Sequence, residues 1–237
     1  MNMSQRQREL AERAAGVREA LAEAAKQAGR APEDVTLVAV SKLHPASDIR
    51  DLAGTGQTEF GENYVQEALA KQEELAGLDV NWHFIGGLQS NKAKYVAGKF
   101  ALVHSVDSSK LAQALHKKAV SLDVVQDILI QVNIAGETQK SGITVENLPE
   151  LAEAVLGMEG LRLVGLMTMP PFFDDPERAR PVFARLRELR GELETRLGMD
   201  LPHLSMGMTG DFVPAVQEGA TLVRIGTRIF GARPPRG

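Results

Sequence analysis

Lys42 follows Val35-Thr36-Leu37-Val38-Ala39-Val40-Ser41, in which five of the six residues from Val35 to Val40 are apolar. That composition suits a strand buried on both faces, where a lysine is tolerated at the tip if its ammonium reaches a cleft. His44-Pro45 then breaks the strand, because proline cannot donate to a central ladder. A lysine at the rim of an apolar core gives up its proton more readily than a solvated one, and the free amine can attack an aldehyde to form a Schiff base. Most lysines that follow a strand are simply solvated, so Lys42 acquires meaning only from its company. Two segments near the C-terminus offer it. Ser205-Met206-Gly207-Met208-Thr209-Gly210 and Arg224-Ile225-Gly226-Thr227 are glycine-containing turns with hydroxyls. Glycine lets backbone N–H groups approach a phosphate, Ser205 and Thr227 can donate, and a helix starting near Thr209 would add its dipole. Tight turns alone would use the same glycines. Asp211 would repel a phosphate, and is expected to cap that helix while facing away. Arg224, between Val223 and Ile225, is buried by pattern; its partner is either a carboxylate inside the sheet or a bound ring or phosphate.

Other motifs do not hold. Gly86-Gly87-Leu88-Gln89-Ser90-Asn91-Lys92 has Asn91 in place of the second glycine of a nucleotide-binding loop, and Ala93 in place of its hydroxyl residue. The five histidines show neither HxH nor HExxH spacing, so no metal site is expected. Ser205 lies outside any G-x-S-x-G elbow. Met158, Met167, Met169, Met206 and Met208 read as packing.

The elements that would position these residues alternate regularly. A helix from Ser4 to Ala28 is announced by a Ser4/Gln7 capping box and stopped by Gly29 and Pro32, with Leu10, Ala14, Val17, Leu21, Ala24 and Ala28 on one stripe. Strands are expected at Val35–Val40, Thr58–Gly61, Trp82–Gly86, Ala101–Val106, Ile128–Val132, Leu163–Met169, His203–Met208 and Leu222–Ile225. Helices are expected between them at Ala46–Ala53, Val65–Leu75, Gln89–Val96, Ser108–Val120, Glu146–Leu156, Glu177–Leu197 and Asp211–Glu218. Eight strands joined by seven helices predict a single α/β domain, a (β/α)8 TIM barrel with an extra N-terminal helix; a doubly wound open sheet is the alternative, because Thr58–Gly61 is short. The expected parts are residues 1–30, the helix packed on the barrel, and 31–237, the barrel. Pro170–Pro176 is the longest irregular stretch and should form a loop over one end. Ligands bind where barrel strands end, which gathers Lys42, Glu62, Asn63, His83, Asn133, Thr168, Ser205, Arg224, Gly226 and Thr227 at candidate tips.

The bulk numbers narrow the function classes. The chain has 237 residues, 43% hydrophobic and 24% charged, with a net charge of −4. That acidic balance argues against nucleic acid as the main partner, and the short Pro-rich cationic tail at Arg233 and Arg236 does not change it. Without cysteine there is no disulfide, thiolate metal site or thiol nucleophile. No apolar run reaches a membrane span of roughly 20 residues, and the polar N-terminus lacks a signal-peptide core, so a cytoplasmic protein is expected.

Taken in order, Ala39-Val40-Ser41-Lys42, Phe60-Gly61-Glu62-Asn63-Tyr64-Val65-Gln66-Glu67, Trp82-His83-Phe84-Ile85-Gly86, Leu88-Gln89-Ser90-Asn91-Lys92, Gly165-Leu166-Met167-Thr168-Met169, Ser205-Met206-Gly207-Met208, Val223-Arg224-Ile225-Gly226-Thr227 and Ile229-Phe230-Gly231 resemble the pyridoxal phosphate homeostasis proteins. The likeness runs from about residue 36 to 232. It departs at Thr209, where a serine is expected, and at Gly87, a variable position. The resemblance implies a barrel like the N-terminal domain of alanine racemase, with pyridoxal 5′-phosphate (PLP) at the C-terminal ends of the strands. It implies Lys42 as the Schiff-base lysine, holding PLP as an internal aldimine, and Asn63 beside the ring. Ser205, Gly226 and Thr227 match the phosphate site, and Arg224 matches the arginine near the pyridine nitrogen. A cation there cannot accept the pyridinium proton, so the ring would be a weak electron sink. The implied function is PLP binding in vitamin B6 homeostasis, without assigned catalytic residues. The implied partners are PLP, other B6 vitamers and PLP-accepting apoenzymes. The chain ends six residues after Gly231, so no second racemase domain is expected, and a monomer is. The alternatives are a single-domain amino-acid racemase with Tyr64 or His83 as second base, a cofactor-free Schiff-base aldolase, and a plain structural or interaction protein.

Overall fold

The computed structural model describes residues 3–136 and 141–232; the Arg233/Arg236 tail lies outside them. Eight strands, β1 (Thr36–Val40), β2 (Glu59–Glu62), β3 (Asn81–Phe84), β4 (Leu102–Val106), β5 (Gln126–Gln131), β6 (Leu161–Met167), β7 (His203–Ser205) and β8 (Leu222–Ile225), form a closed barrel in that order. All neighbours are parallel, and β8 closes on β1 with Thr36 opposite Leu222 and Ala39 opposite Ile225. Closure excludes the open-sheet alternative. The short second strand is real and pairs with β3 from Glu59↔Asn81 to Glu62↔Phe84.

Alternation along the strands sorts the side chains. Leu37 and Ala39 on β1, like Val223 and Ile225 on β8, join the main core between sheet and helices. Val38, Leu102, Leu129, Met167 and Leu222 fill a smaller core inside the barrel. Arg224 lies opposite Val38 in the ladder, so it shares the interior face.

The outer layer comprises α1 (Gln5–Gln27), α2 (Ala46–Ala53), α3 (Val65–Glu74), α4 (Ser109–Ser121), α5 (Leu148–Leu156), α6 (Arg180–Leu197), α7 (Phe212–Gln217) and α8 (Thr227–Phe230). Proline corrects two expected starts. Pro149 and Pro181 lack an N–H and suit a first turn, so α5 begins at Leu148 and α6 at Arg180, the latter preceded by a 3-10 turn over Pro176–Ala179. The expected helix Gln89–Val96 is a 3-10 helix over Ser90–Tyr95, with only Ala93 buried. The four-residue α8 has too little periodicity to stand out in sequence. Pro170–Asp175 is irregular as expected, and shares a cavity of about 170 Å³ with Met208 and Asp211.

Helix α1 packs on α2, α7 and α8, across the seam where β1 meets β8. Leu10, Ala14, Val17, Leu21, Ala24 and Ala25 are buried on it, whereas Ala28 is its half-buried C-cap. The small residues let neighbours approach closely. Gly29 then turns the chain away at φ 67°, a left-handed conformation suited to a residue without Cβ. Arg6 ties the seam by donating to the Asp48 carboxylate and to the Phe230 carbonyl. At the N-terminus, Ser4 Oγ accepts from Gln7 N at 3.0 Å. A Ser4→Ala protein should lose about 1 kcal/mol, read as a lower urea midpoint at unchanged slope. No helix among the described residues is long and apolar enough to cross a membrane.

Candidate functional site

The ends of β1, β2 and β8 converge. Lys42 is half-buried in the turn after β1, and with Val40, His44, Gly226 and Thr227 it lines a notch of about 20 Å³. The expected Lys42, Gly226 and Thr227 are therefore neighbours. Gly226 is seated tightly; a Cβ there would stand 3.1 Å from the Val40 carbonyl oxygen. Thr227 Oγ1 lies 3.3 Å from Thr209 Oγ1, joining the turns that follow β7 and β8.

The turn that carries Lys42 is clamped from below. Its next residue, Leu43, has φ 65°, a left-handed conformation that costs a non-glycine residue energy and must be held by its surroundings. Leu43 N donates to Glu67 Oε1 at 2.6 Å. Lys71, buried on α3, donates to Ser41 O at 2.8 Å, Glu62 Oε1 at 2.7 Å and Glu67 Oε1 at 2.6 Å. Ser41 Oγ donates to the same Glu62 oxygen at 2.7 Å. Burial pushes the Glu62 carboxyl above its ordinary range, against the pull of Lys71 and Ser41. Sequence reading placed Glu62 beside Lys42 but overlooked Lys71 and Glu67. Their i,i+4 spacing was the available signal, and it is indistinguishable from an ordinary surface pair.

Asn63 follows β2, and its Oδ1 is buried without a hydrogen-bond partner. Its backbone is pressed against Gly86, where a Cβ would stand 2.2 Å from Asn63 O. An unsatisfied buried acceptor is uncommon and is accounted for when a ligand supplies the donor.

Arg224 is almost fully buried in the barrel. Of the two alternatives for it, the interior carboxylate is not found, since it has no ion pair among the described residues. It donates instead to Ser205 Oγ at 2.5 Å and to the Thr168 carbonyl at 3.0 Å. Burial lowers its pKa to about 10, so it remains a cation at neutral pH. The Asp211 carboxylate opposes that lowering electrostatically. Asp211 sits at the N-cap position of α7, which begins at Phe212 and not near Thr209, and its carboxylate accepts from Met208 N at 2.6 Å. Burial raises the Asp211 pKa, with the Met208 N–H and Arg224 opposing.

Ser205, expected at a phosphate, is fully buried with its hydroxyl shared between Arg224 and His104 Nδ1 at 2.8 Å. His83, expected on the third strand, lies within β3 and contacts Glu59 and His104. His104 was not singled out from sequence. A histidine at the centre of Leu102-Val103-His104-Ser105-Val106 was the signal, though most such residues are satisfied core groups. Among the described residues no three His, Asp or Glu side chains gather as a metal site.

The family model for the N-terminal domain of alanine racemase matches residues 17–234. A Pseudomonas aeruginosa protein named pyridoxal phosphate homeostasis protein is 50% identical over 224 residues, covering 94% of this chain and 96% of that one. One of the same name from Aquifex aeolicus is 48% identical over 222 residues, covering 94% and 97%. Among solved structures, PipY of Synechococcus elongatus with PLP bound superposes with a TM-score of 0.83 at 38% identity, covering 94% of this chain and all of that one.

Proposed function

The chain belongs to the pyridoxal phosphate homeostasis protein family, built on the alanine racemase N-terminal barrel, and from this we propose that it binds PLP through Lys42 to hold intracellular PLP in an exchangeable form. The observation that carries the reading is Arg224, a buried cation without a carboxylate ion pair among the described residues, on the strand that pairs with β1, which leads into Lys42. A buried charge of this kind favours a ligand with a lone pair or negative charge.

PLP supplies an aldehyde, a pyridine nitrogen and a phosphate, and the residues present fit all three. The Lys42 amine suits the aldehyde. Arg224 suits the ring nitrogen, to which it can only donate. Gly226 and Thr227, with Thr209 adjoining, suit the phosphate, while the Ser205 hydroxyl supports Arg224. Asn63 Oδ1 awaits a donor beside the ring. Because the notch under Lys42 holds about one water, a ring must lie across the strand ends above it. The clamp from Lys71 and Glu67 fixes the backbone on which Lys42 turns.

This chemistry favours binding over turnover. A racemase needs a base on each face of its substrate. His83 is engaged at both ring nitrogens inside the barrel, so it does not supply the second one. Release to PLP-accepting apoenzymes is the corresponding role. The test is borohydride reduction of protein incubated with PLP, followed by peptide mapping. A pyridoxyl group on Lys42 is expected; one elsewhere, or none, overturns the assignment. Steady α-proton exchange of alanine or serine at enzyme-like rates would favour the racemase instead.

A further inference from the structure

We propose that Glu59, His83, His104 and Ser205 form a polarised hydrogen-bond relay through the barrel interior that positions Arg224. This rests on the reading of Arg224 as the residue facing the ring of PLP. The relay starts at Glu59 Oε2, 2.7 Å from His83 Nε2. His83 Nδ1 lies 2.8 Å from His104 Nε2. His104 Nδ1 lies 2.8 Å from Ser205 Oγ, which accepts from Arg224 Nη1 at 2.5 Å. The line passes along β2, β3 and β4, then crosses the lumen to β7 and β8.

The Glu59 carboxylate imposes the direction, and the Arg224 end accommodates it. Arg224 can only donate, so Ser205 Oγ accepts from it and keeps its own hydrogen available for His104 Nδ1, the role that Glu59, an acceptor at the other end, requires of it. His104 then carries its proton on Nε2 and donates to His83 Nδ1, leaving His83 to donate from Nε2 to Glu59. Glu59 is held as an acceptor: half-burial raises its pKa, but donation from His83, Asn81 and Thr58 outweighs this and keeps it below its ordinary value. His104 is kept neutral, because burial and the charges around it push its pKa well below the usual imidazole range. With the polarity reversed, His83 would turn a lone pair toward the Glu59 carboxylate.

The barrel interior elsewhere is filled by Val38, Leu102, Leu129, Met167 and Leu222. Two imidazoles and a hydroxyl in that space are a costly way to fill volume, and they specify an orientation that an apolar filling would leave free. The far end is not sealed either. Glu59 lines a cavity of about 380 Å³ with Arg18, Glu33 and Gln57, at the end of the barrel where the strands begin. His83, His104 and Ser205 are thus positioning residues, acting on the ring through Arg224.

The test begins with nitrogen-15 NMR of the histidines in protein without ligand at neutral pH. His83 and His104 should both be Nε2–H tautomers; an Nδ1–H tautomer at His104 overturns the polarity. PLP titrations then compare His83→Gln, which offers an acceptor and a donor in similar places, with His83→Leu, which offers neither. His83→Leu should weaken PLP binding about tenfold and move its visible absorption maximum, whereas His83→Gln should stay within about twofold of wild type. A folded His83→Leu protein with wild-type affinity and spectrum overturns the relay. If that variant does not fold, Glu59→Leu at the half-buried end replaces it, with a loss of about threefold expected and an unchanged affinity and spectrum counting against the relay. Failure of the wild-type protein to bind PLP would instead overturn the proposed function and the ring-directed role together, and the tautomers alone would then decide whether the relay exists.

Discussion

A Lys71→Met protein should be less stable than wild type by about 3–5 kcal/mol at neutral pH, because methionine fills the space but leaves a buried carboxylate without its cation. Glu62 is fully buried, and one of its oxygens has no hydrogen-bond partner even with Lys71 in place. The deficit should depend on pH in a determined direction. Burial already raises the Glu62 pKa above its unfolded value, and removing Lys71 raises it further. Between the unfolded and folded pKa the native state then binds more protons than the unfolded one, so stability falls as pH rises through that window. The deficit should therefore shrink as the pH is lowered from 7 toward 5. Urea denaturation of both proteins across that range checks it; a deficit that grows on acidification would contradict the account. The variant should also hold PLP less well, because the clamp on Ser41 and Leu43 loosens.

Gly86→Ala is expected to be the most damaging single-methyl change near the site, with Gly87→Ala as its control. At Gly86 the added carbon would stand 2.2 Å from Asn63 O and 2.7 Å from Asn63 Cα, both backbone atoms that no rotamer change can move aside. At Gly87 the nearest atom is Ser141 Oγ, 4.0 Å away. Overpacking against backbone costs up to about 3 kcal/mol, so Gly86→Ala should destabilise by about that much. PLP affinity should fall at least about tenfold as Asn63 is displaced. Gly87→Ala should be near neutral in both measurements. Equal behaviour of the two variants would show that the close approach at Gly86 is unimportant.

The barrel was legible because its signals are periodic and repeated. Each buried strand carries a short apolar run, and each intervening helix a stripe. Boundaries failed where one residue overrules a pattern, as Pro149 and Pro181 do, or where an element is as short as α8. That Lys42, Gly226 and Thr227 are neighbours was legible for a different reason: each is ordinary by itself, but all three fall at strand ends, which a barrel gathers on one face. The interior was not. Lys71 and Glu67 look like a solvated i,i+4 pair until α3 is docked on β2. Glu59, His83 and His104 come from three strands, and only the register of those strands puts their side chains within hydrogen-bond distance. Ser205 was singled out, but its partners could not be. A hydroxyl near a phosphate and a hydroxyl bridging arginine to histidine have the same one-letter signature.

The seam between β1 and β8 has a consequence for how the chain acquires its shape. Arg6 and Phe230, bonded across it, are 224 residues apart in sequence, and the pairing of Val38 with Arg224 is almost as distant. Contacts of such separation are entropically costly to make early and tend to form late in folding. On a ribosome, α1 and β1 meet α2 and β2 early but must wait for nearly the whole chain before α7, α8 and β8 emerge. Lys42 and Arg224 stand on the two strands that complete the ring, so their juxtaposition arrives with its closure. A nascent or partly opened chain therefore presents the lysine without the arginine, and capture of the cofactor would report that the circle has shut.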